Sequence, residues 1–265
     1  SYTEGNNLNT ARFVLGGLGT QTAALGFGGA TPGASVKVEE YDGTSWTEAT
    51  DLPTATKFAN GGGAGIQTAG LVFGGSVRAL FYDGTSFSST GNLATSRTYA
   101  AGFGATQSAA LACGGRPVLG NTEEFNLSIQ TTTAAAWASG GALNQIRRNG
   151  ASAGTQTAGI VFGGKDVSNV LATTEQYNGT SWTEVGDLNT ARGNLGSATA
   201  GSQTASLGFA GATAEPSAPA LTVNSEEFNG TSWAEGNNIG TARYELRGAG
   251  TQTAALGFGG YTSGA

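Results

Sequence analysis

Apolar and polar positions along this chain fall into short runs that return at intervals. The plainest run is Thr20-Gln21-Thr22-Ala23-Ala24-Leu25-Gly26-Phe27-Gly28-Gly29, which comes back as Gln67-Thr68-Ala69-Gly70-Leu71-Val72-Phe73-Gly74-Gly75 and again near Gln107, Gln156, Gln203 and Gln252. An apolar run closed by Gly-Gly reads as a buried strand ending in a turn. A second run alternates toward an aromatic, as in Val36-Lys37-Val38-Glu39-Glu40-Tyr41, Thr174-Glu175-Gln176-Tyr177 and Ser225-Glu226-Glu227-Phe228. Period-two alternation of this kind predicts a half-buried strand. The pairs Asp42-Gly43, Asp83-Gly84, Asn178-Gly179 and Asn229-Gly230 then signal hairpins. Beyond them Trp46, Phe87, Trp182 and Trp233 each open another strand, with Tyr2 in that place at the N-terminus.

Each repeat also has a leading segment of small residues after a basic one: Arg12, Lys57, Arg97, Arg147 or Arg148, Arg192 and Arg243. Strands of Gly and Ala are poor by propensity and fit where backbones approach closely, as they do around the axis of a propeller. No stretch has a helical period. In the third repeat, Asn126-Leu127-Ser128-Ile129-Gln130 replaces the Asx-Gly turn and Trp137 comes late, so a longer connection is expected there.

A unit recurring every ~40 to 50 residues means a repeat architecture. The expectation is an all-β, six-bladed propeller forming a single domain over 1–265, with repeats near 11–52, 57–93, 97–143, 147–188, 192–239, and 243–265 closed with 1–8. Its last blade combines N- and C-terminal strands and lacks one strand of the aromatic type, which lies beyond the sequence given, is disordered, or is supplied by something else. The chain starts at Ser1 without any methionine and both ends fall inside a repeat, which reads as a piece of a longer or processed product.

These marks resemble kelch-type repeats: the run ending in Gly28-Gly29, Tyr41 and Trp46 at their spacing, and the basic residue before the next strand. More narrowly, Gly-Thr-Gln-Thr-Ala-Ala-Leu-Gly-Phe-Gly-Gly with Tyr-Asn-Gly-Thr-Ser-Trp resembles repeat arrays in structural tail and virion proteins of marine bacteriophages. The resemblance implies a virion or extracellular-surface setting and, as partners, other virion or surface proteins, with a host-surface glycan as a further candidate. Kelch-fold oxidases hold copper through histidines and tyrosines; this chain has no histidine, so that cofactor does not carry over.

Composition narrows the chemistry further. The net charge of -6 leaves no basic footprint for nucleic acid. No apolar run approaches the ~18 residues of a membrane span, so membrane insertion is not expected. Without histidine, and with Cys113 as the only cysteine, ordinary zinc sites and Ser-His-Asp catalysis are excluded. Cys113 fills the slot of Phe27, Phe73 and Phe162 and reads as core. The triplets beginning at Asn126, Asn178 and Asn229 match the glycosylation sequon, but Asp42 and Asp83 share the position, which favours turn chemistry.

Carboxylates remain. Glu39, Glu123, Glu175 and Glu226 recur at one position, and two of them facing one cleft could hydrolyse glycosides. A residue that recurs by repeat is more economically structural, so Arg12, Arg97, Arg192 and Arg243 are expected to hydrogen-bond those glutamates or carbonyls around the ring. No catalytic, cofactor or metal residue is assigned. Recognition is expected in the loops that vary between repeats, 30–36, 116–122, 165–173, 212–224 and the tail from Tyr261. Their candidate residues are Thr31, Pro32, Arg116, Pro117, Lys165, Asp166, Glu215, Pro216 and Tyr261. The function expected is a non-enzymatic structural or interaction module for attachment or decoration. The alternative is a carbohydrate-binding lectin or a propeller-type glycoside-active enzyme.

Overall fold

A computed structural model describes residues 4–53, 62–117, 119–127, 136–214 and 220–262. Strands β1 (Gly16–Thr20), β2 (Ala23–Phe27), β5 (Val38–Tyr41) and β6 (Trp46–Glu48) form the first blade, with a small hairpin of β3 (Ala30–Thr31) and β4 (Gly33–Ala34) inserted after β2. The second blade holds β7 (Gly62–Ile66), β8 (Ala69–Phe73), β9 (Ala79–Tyr82) and β10 (Phe87–Ser89); the third holds β11 (Ala101–Thr106), β12 (Ala109–Cys113), β13 (Thr122–Asn126) and β14 (Ala136–Ser139). The fourth holds β15 (Ala151–Thr155), β16 (Ala158–Phe162), β17 (Thr174–Tyr177) and β18 (Trp182–Val185); the fifth holds β19 (Gly196–Ser197), β20 (Ser206–Phe209), β21 (Ser225–Phe228) and β22 (Trp233–Glu235). A two-stranded ribbon, β23 (Tyr244–Thr251) and β24 (Ala254–Tyr261), follows and lies between the fifth blade and the first.

The expectation of six blades is therefore corrected to five. The last repeat contributes only a ribbon, and residues 4–8, which carry the letters of a fourth strand, lie in no strand. A strand exists through the ladder it makes with a neighbour, and among the described residues no third strand stands between β24 and residues 4–8 to supply one. Tyr2, expected to open that strand, falls outside the described residues, as does the 128–135 connection of the third blade. Either side of that connection Phe125 still pairs with Trp137, matching Tyr41 with Trp46 in the first blade.

Small residues in the second strands have a steric reason. A Cβ on Gly159 would collide with the Phe103 ring from the preceding blade, and one on Gly208 would fall 2.7 Å from Phe162. Each such glycine is a socket for its neighbour's apolar side chain, so the cores lie between blades. One cluster joins Leu25, Phe27 and Val38 of the first blade to Val72, Leu80 and Tyr82 of the second. Full burial of side chains of this size stabilises by about 1.5–3 kcal/mol each. Aromatics of the fourth strands reinforce the arrangement: Trp46 packs on Phe258, Trp137 on Phe73 and Trp233 on Phe162 at ring separations of 4.9, 5.0 and 4.6 Å.

Around the axis the first strands begin with a backbone girdle. Tyr99, Asn149, Asn194, Glu245 and Val14 all have φ between 49° and 57°, a left-handed conformation that non-glycine residues seldom adopt. That turn aims each amide at the preceding blade: Asn149 N–H donates to Tyr99 O, Asn194 to Asn149, Glu245 to Asn194 and Val14 to Glu245, over 2.9 to 3.3 Å.

Candidate functional site

Four buried ion pairs recur by blade. Arg12 Nη2 lies 2.8 Å from Glu39 Oε1, Arg147 2.8 Å from Glu175 and Arg192 2.7 Å from Glu226, and Arg97 pairs with Glu123 in the same way. Each arginine Nη1 also donates to two carbonyls, Arg147 for example to Gly163 O at 2.8 Å and Thr173 O at 2.7 Å. The far carboxylate oxygen accepts an amide from the incoming connection: Asn9 N at 2.6 Å on Glu39, Ala94 N at 2.6 Å on Glu123, Asn144 N at 2.7 Å on Glu175 and Asn189 N at 2.6 Å on Glu226. Buried charges are tolerable only when paired and hydrogen-bonded in this manner. Burial still lowers the pKa of Arg12, with Glu39 opposing the shift.

Between the two basic candidates of the fourth repeat, the structure uses Arg147. Arg148 stands in the loop, exchanging backbone hydrogen bonds with Lys165. In the second blade Leu80, 2 % exposed, takes the carboxylate's place, and Lys57 lies outside the described residues. Arg243 differs from the others. Its hydrogen bond is to Gly259 O at 3.1 Å, and among the described residues no carboxylate meets it.

One recurring group was not recognised from the sequence. The glutamine in the turn between the first and second strands reaches across to the preceding blade and ties its second strand to its third. Gln67 Nε2 donates to Ala24 O and Tyr41 O at 3.0 Å each, Gln203 to Gly159 O and Tyr177 O at 3.1 and 2.8 Å, and Gln252 to Ser206 O and Phe228 O at 3.0 and 2.8 Å. The signal was present: a polar residue repeating as strictly as the apolar ones around it. The Asx-Gly turns are local. Asp42 Oδ1 accepts the amides of Thr44 and Ser45, Asn178 and Asn229 do the same for the residues that follow them, and those amides lower the pKa of Asp42.

At the turn end of the inner strands the ring opens into a depression of about 450 Å³, lined by Leu18, Ile66, glycines, alanines and the 199–204 turn. None of its described lining residues is ionisable. Among the described residues no three Asp, Glu, His or Cys side chains gather as metal ligands. The recurrent glutamates are not brought together in a cleft; each sits inside its own blade.

The variable loops lie at the opposite end, where the second-to-third-strand connections and the inter-blade connections meet. Thr31, Pro32, Arg116 and Pro117 are exposed there, while Lys165 and Asp166 are half-buried. Asp166 Oδ1 accepts the amides of Ser168 and Asn169, which shapes a turn whose neighbour Val167 is 73 % exposed. Tyr261 is half-buried and meets the rings of Phe13 and Tyr244 edge-on at 6.1 and 5.5 Å. Glu215 and Pro216 lie outside the described residues.

Sheets of this kind around a common axis define a β-propeller. No family model matches the chain, and no curated protein matches it.

Proposed function

We propose that this propeller is a non-enzymatic structural or interaction module of kelch-like type, carried on a virion or extracellular surface and used for attachment or decoration. The observation that supports this reading is the placement of the recurrent charges. Glu39, Glu123, Glu175 and Glu226 are each held by a buried arginine and by backbone amides. A carboxylate so committed is poorly placed to exchange protons with a substrate. What distinguishes one blade from the next is its exposed loop, and variable loops on a uniform scaffold are where recognition is usually placed. The partners on this reading are other virion or surface proteins, with neither nucleic acid nor membrane insertion involved. Immunogold electron microscopy with antibodies against the 165–173 loop tests the setting. Labelling of particle or cell surfaces is expected, and label confined to cell interiors would sink the proposal.

A lectin is the second reading, favoured by the half-buried aromatics Phe13, Tyr244 and Tyr261 on the loop side. Aromatic faces stack on sugar rings through their apolar C–H surfaces. Glycan-array binding lost in Tyr261→Ala would favour it, and release of reducing sugar from any bound glycan would instead favour the glycoside-active alternative.

A further inference from the structure

Among the described residues, the ribbon leaves one strand edge unpaired. In each blade the second strand has a third strand along its outer side, and the apolar residues of β2 are buried; in β24 the corresponding Ala255 and Leu256 are half-buried and Gly257 is exposed. Beyond β24 lies a groove of about 500 Å³ whose far wall is residues 4–9. That wall is held as the fourth strands are held at their ends. Asn9 Nδ2 donates to Trp46 O at 2.7 Å, as Asn144 does to Trp182 O at 2.9 Å and Asn189 to Trp233 O at 3.1 Å. A second strand and a fourth strand's place are separated by one strand, about 10 Å from centre to centre.

Among the described residues, four groups at or near the groove lack partners that their counterparts have. Arg243 meets no carboxylate among the described residues, whereas Arg192 meets Glu226. The amides of Gly240 and Thr241 stand where Asn9 and Thr10 stand before Arg12; among the described residues no carboxylate accepts them as Glu39 accepts the latter pair, and the carboxylate beside them, Glu4, takes the Thr241 hydroxyl at 3.2 Å. Gln21 Nε2 reaches only Ala255 O, at 3.5 Å, where Gln252 spans a second-strand and a third-strand carbonyl. The hydroxyls of Tyr82 and Tyr177 donate to Glu40 and Glu124 of the preceding blade; Tyr41, whose preceding unit is the ribbon, meets no such acceptor among the described residues.

We infer that this groove accepts one extended segment of a partner polypeptide, antiparallel to β24, with the pattern Ser/Thr-Glu-Glu-Phe/Tyr. The pairing of β20 with β21 sets the register: Ser or Thr opposite Phe258, the first glutamate opposite Gly257 and the aromatic opposite Ala255. The first glutamate binds Arg243 and the two amides. The second accepts the Tyr41 hydroxyl, and the aromatic residue's carbonyl accepts Gln21. Addition of a strand to a free edge takes its affinity from main-chain hydrogen bonds and its specificity from alternate side chains. This inference concerns a different surface from the loops and stands independently of what they recognise.

Calorimetric titration with a synthetic peptide of residues 222–230 tests it, alongside hydrogen exchange and sedimentation of the chain alone. Saturable one-to-one binding with slowed exchange of the β24 amides is expected. The same peptide carrying Glu226→Gln, which leaves the protein untouched, should bind about tenfold or more weakly, because a charge-assisted contact is lost. Arg243→Lys should weaken the unmodified peptide too. Absence of binding, equal binding of the Gln or a scrambled peptide, or unchanged β24 exchange would each overturn the inference. So would a dimer in which β24 is already protected, because a second copy would then be the occupant.

Discussion

The guanidinium of Arg192 stands 2.7 Å from the carboxylate of Glu226, and neither side chain has exposed surface. Glu226→Gln would leave the arginine's charge buried without its counterion, and breaking a buried pair in this way costs about 3–5 kcal/mol. Thermal melts should show a clear loss for Glu226→Gln and for Arg192→Ala. The apolar double variant Arg192→Met/Glu226→Leu should melt closer to wild type than either single one, because it leaves no isolated charge. A single variant melting with wild type would show that the pair contributes nothing to stability.

Gly159 tests the packing between blades. A methyl group there meets the Phe103 ring, so Gly159→Ala should destabilise the chain by about 1–3 kcal/mol through overpacking. Trimming the partner with Phe103→Leu should recover part of that loss. In denaturant titrations the two substitutions should therefore be non-additive, and simple additivity would rule out the socket as the cause.

Stability at low pH should depend on the turn aspartates. Amides of Ser45 and Thr44 lower the pKa of Asp42, those of Ser86 and Thr85 that of Asp83, and those of Ser168 and Asn169 that of Asp166. A depressed native pKa means that the unfolded chain binds more protons on acidification. The contribution is thus present above the unfolded value of about 3.9 and is lost as pH falls through the native one. Asn178 and Asn229 make the same turn with no titrating group. Asp42→Asn/Asp83→Asn should therefore lose less stability than wild type in urea melts taken at falling pH, and parallel curves would contradict the assignment.

Cys113 is fully buried, and desolvation pushes its thiol pKa up to about 12. Since the thiolate is the reactive form, an aromatic disulfide reagent should modify native protein far more slowly than urea-unfolded protein. Rapid labelling of the native chain would mean that the third blade opens readily.

The blade repeat was legible because its marks are local. Gly-Gly turns, Asx-Gly hairpins and the alternation toward Tyr41 or Phe228 each report on their own few residues, and the structure places strands there. The blade number was not legible. Residues 4–8 spell a fourth strand, but strand formation depends on a neighbour that letters in one segment do not reveal. The arginine and glutamate positions could be read from recurrence, whereas the choice of Arg147 over Arg148 needed burial. Nor could the girdle be foreseen: its left-handed positions hold Val14, Tyr99, Asn149, Asn194 and Glu245, which are not of one residue type, because the link runs from backbone amide to backbone carbonyl.

That girdle changes how the array should come apart. Open repeat arrays can fray from an end, since a terminal unit touches one neighbour only. Here the described links run from Tyr99 through Asn149, Asn194 and Glu245 back to Val14, so the last repeat is fastened to the first. A unit that loosens must let go on two sides at once, and sequential peeling gives way to a single concerted transition. A small-residue scaffold with few charges thereby gains resistance to nicking that its composition alone would not suggest.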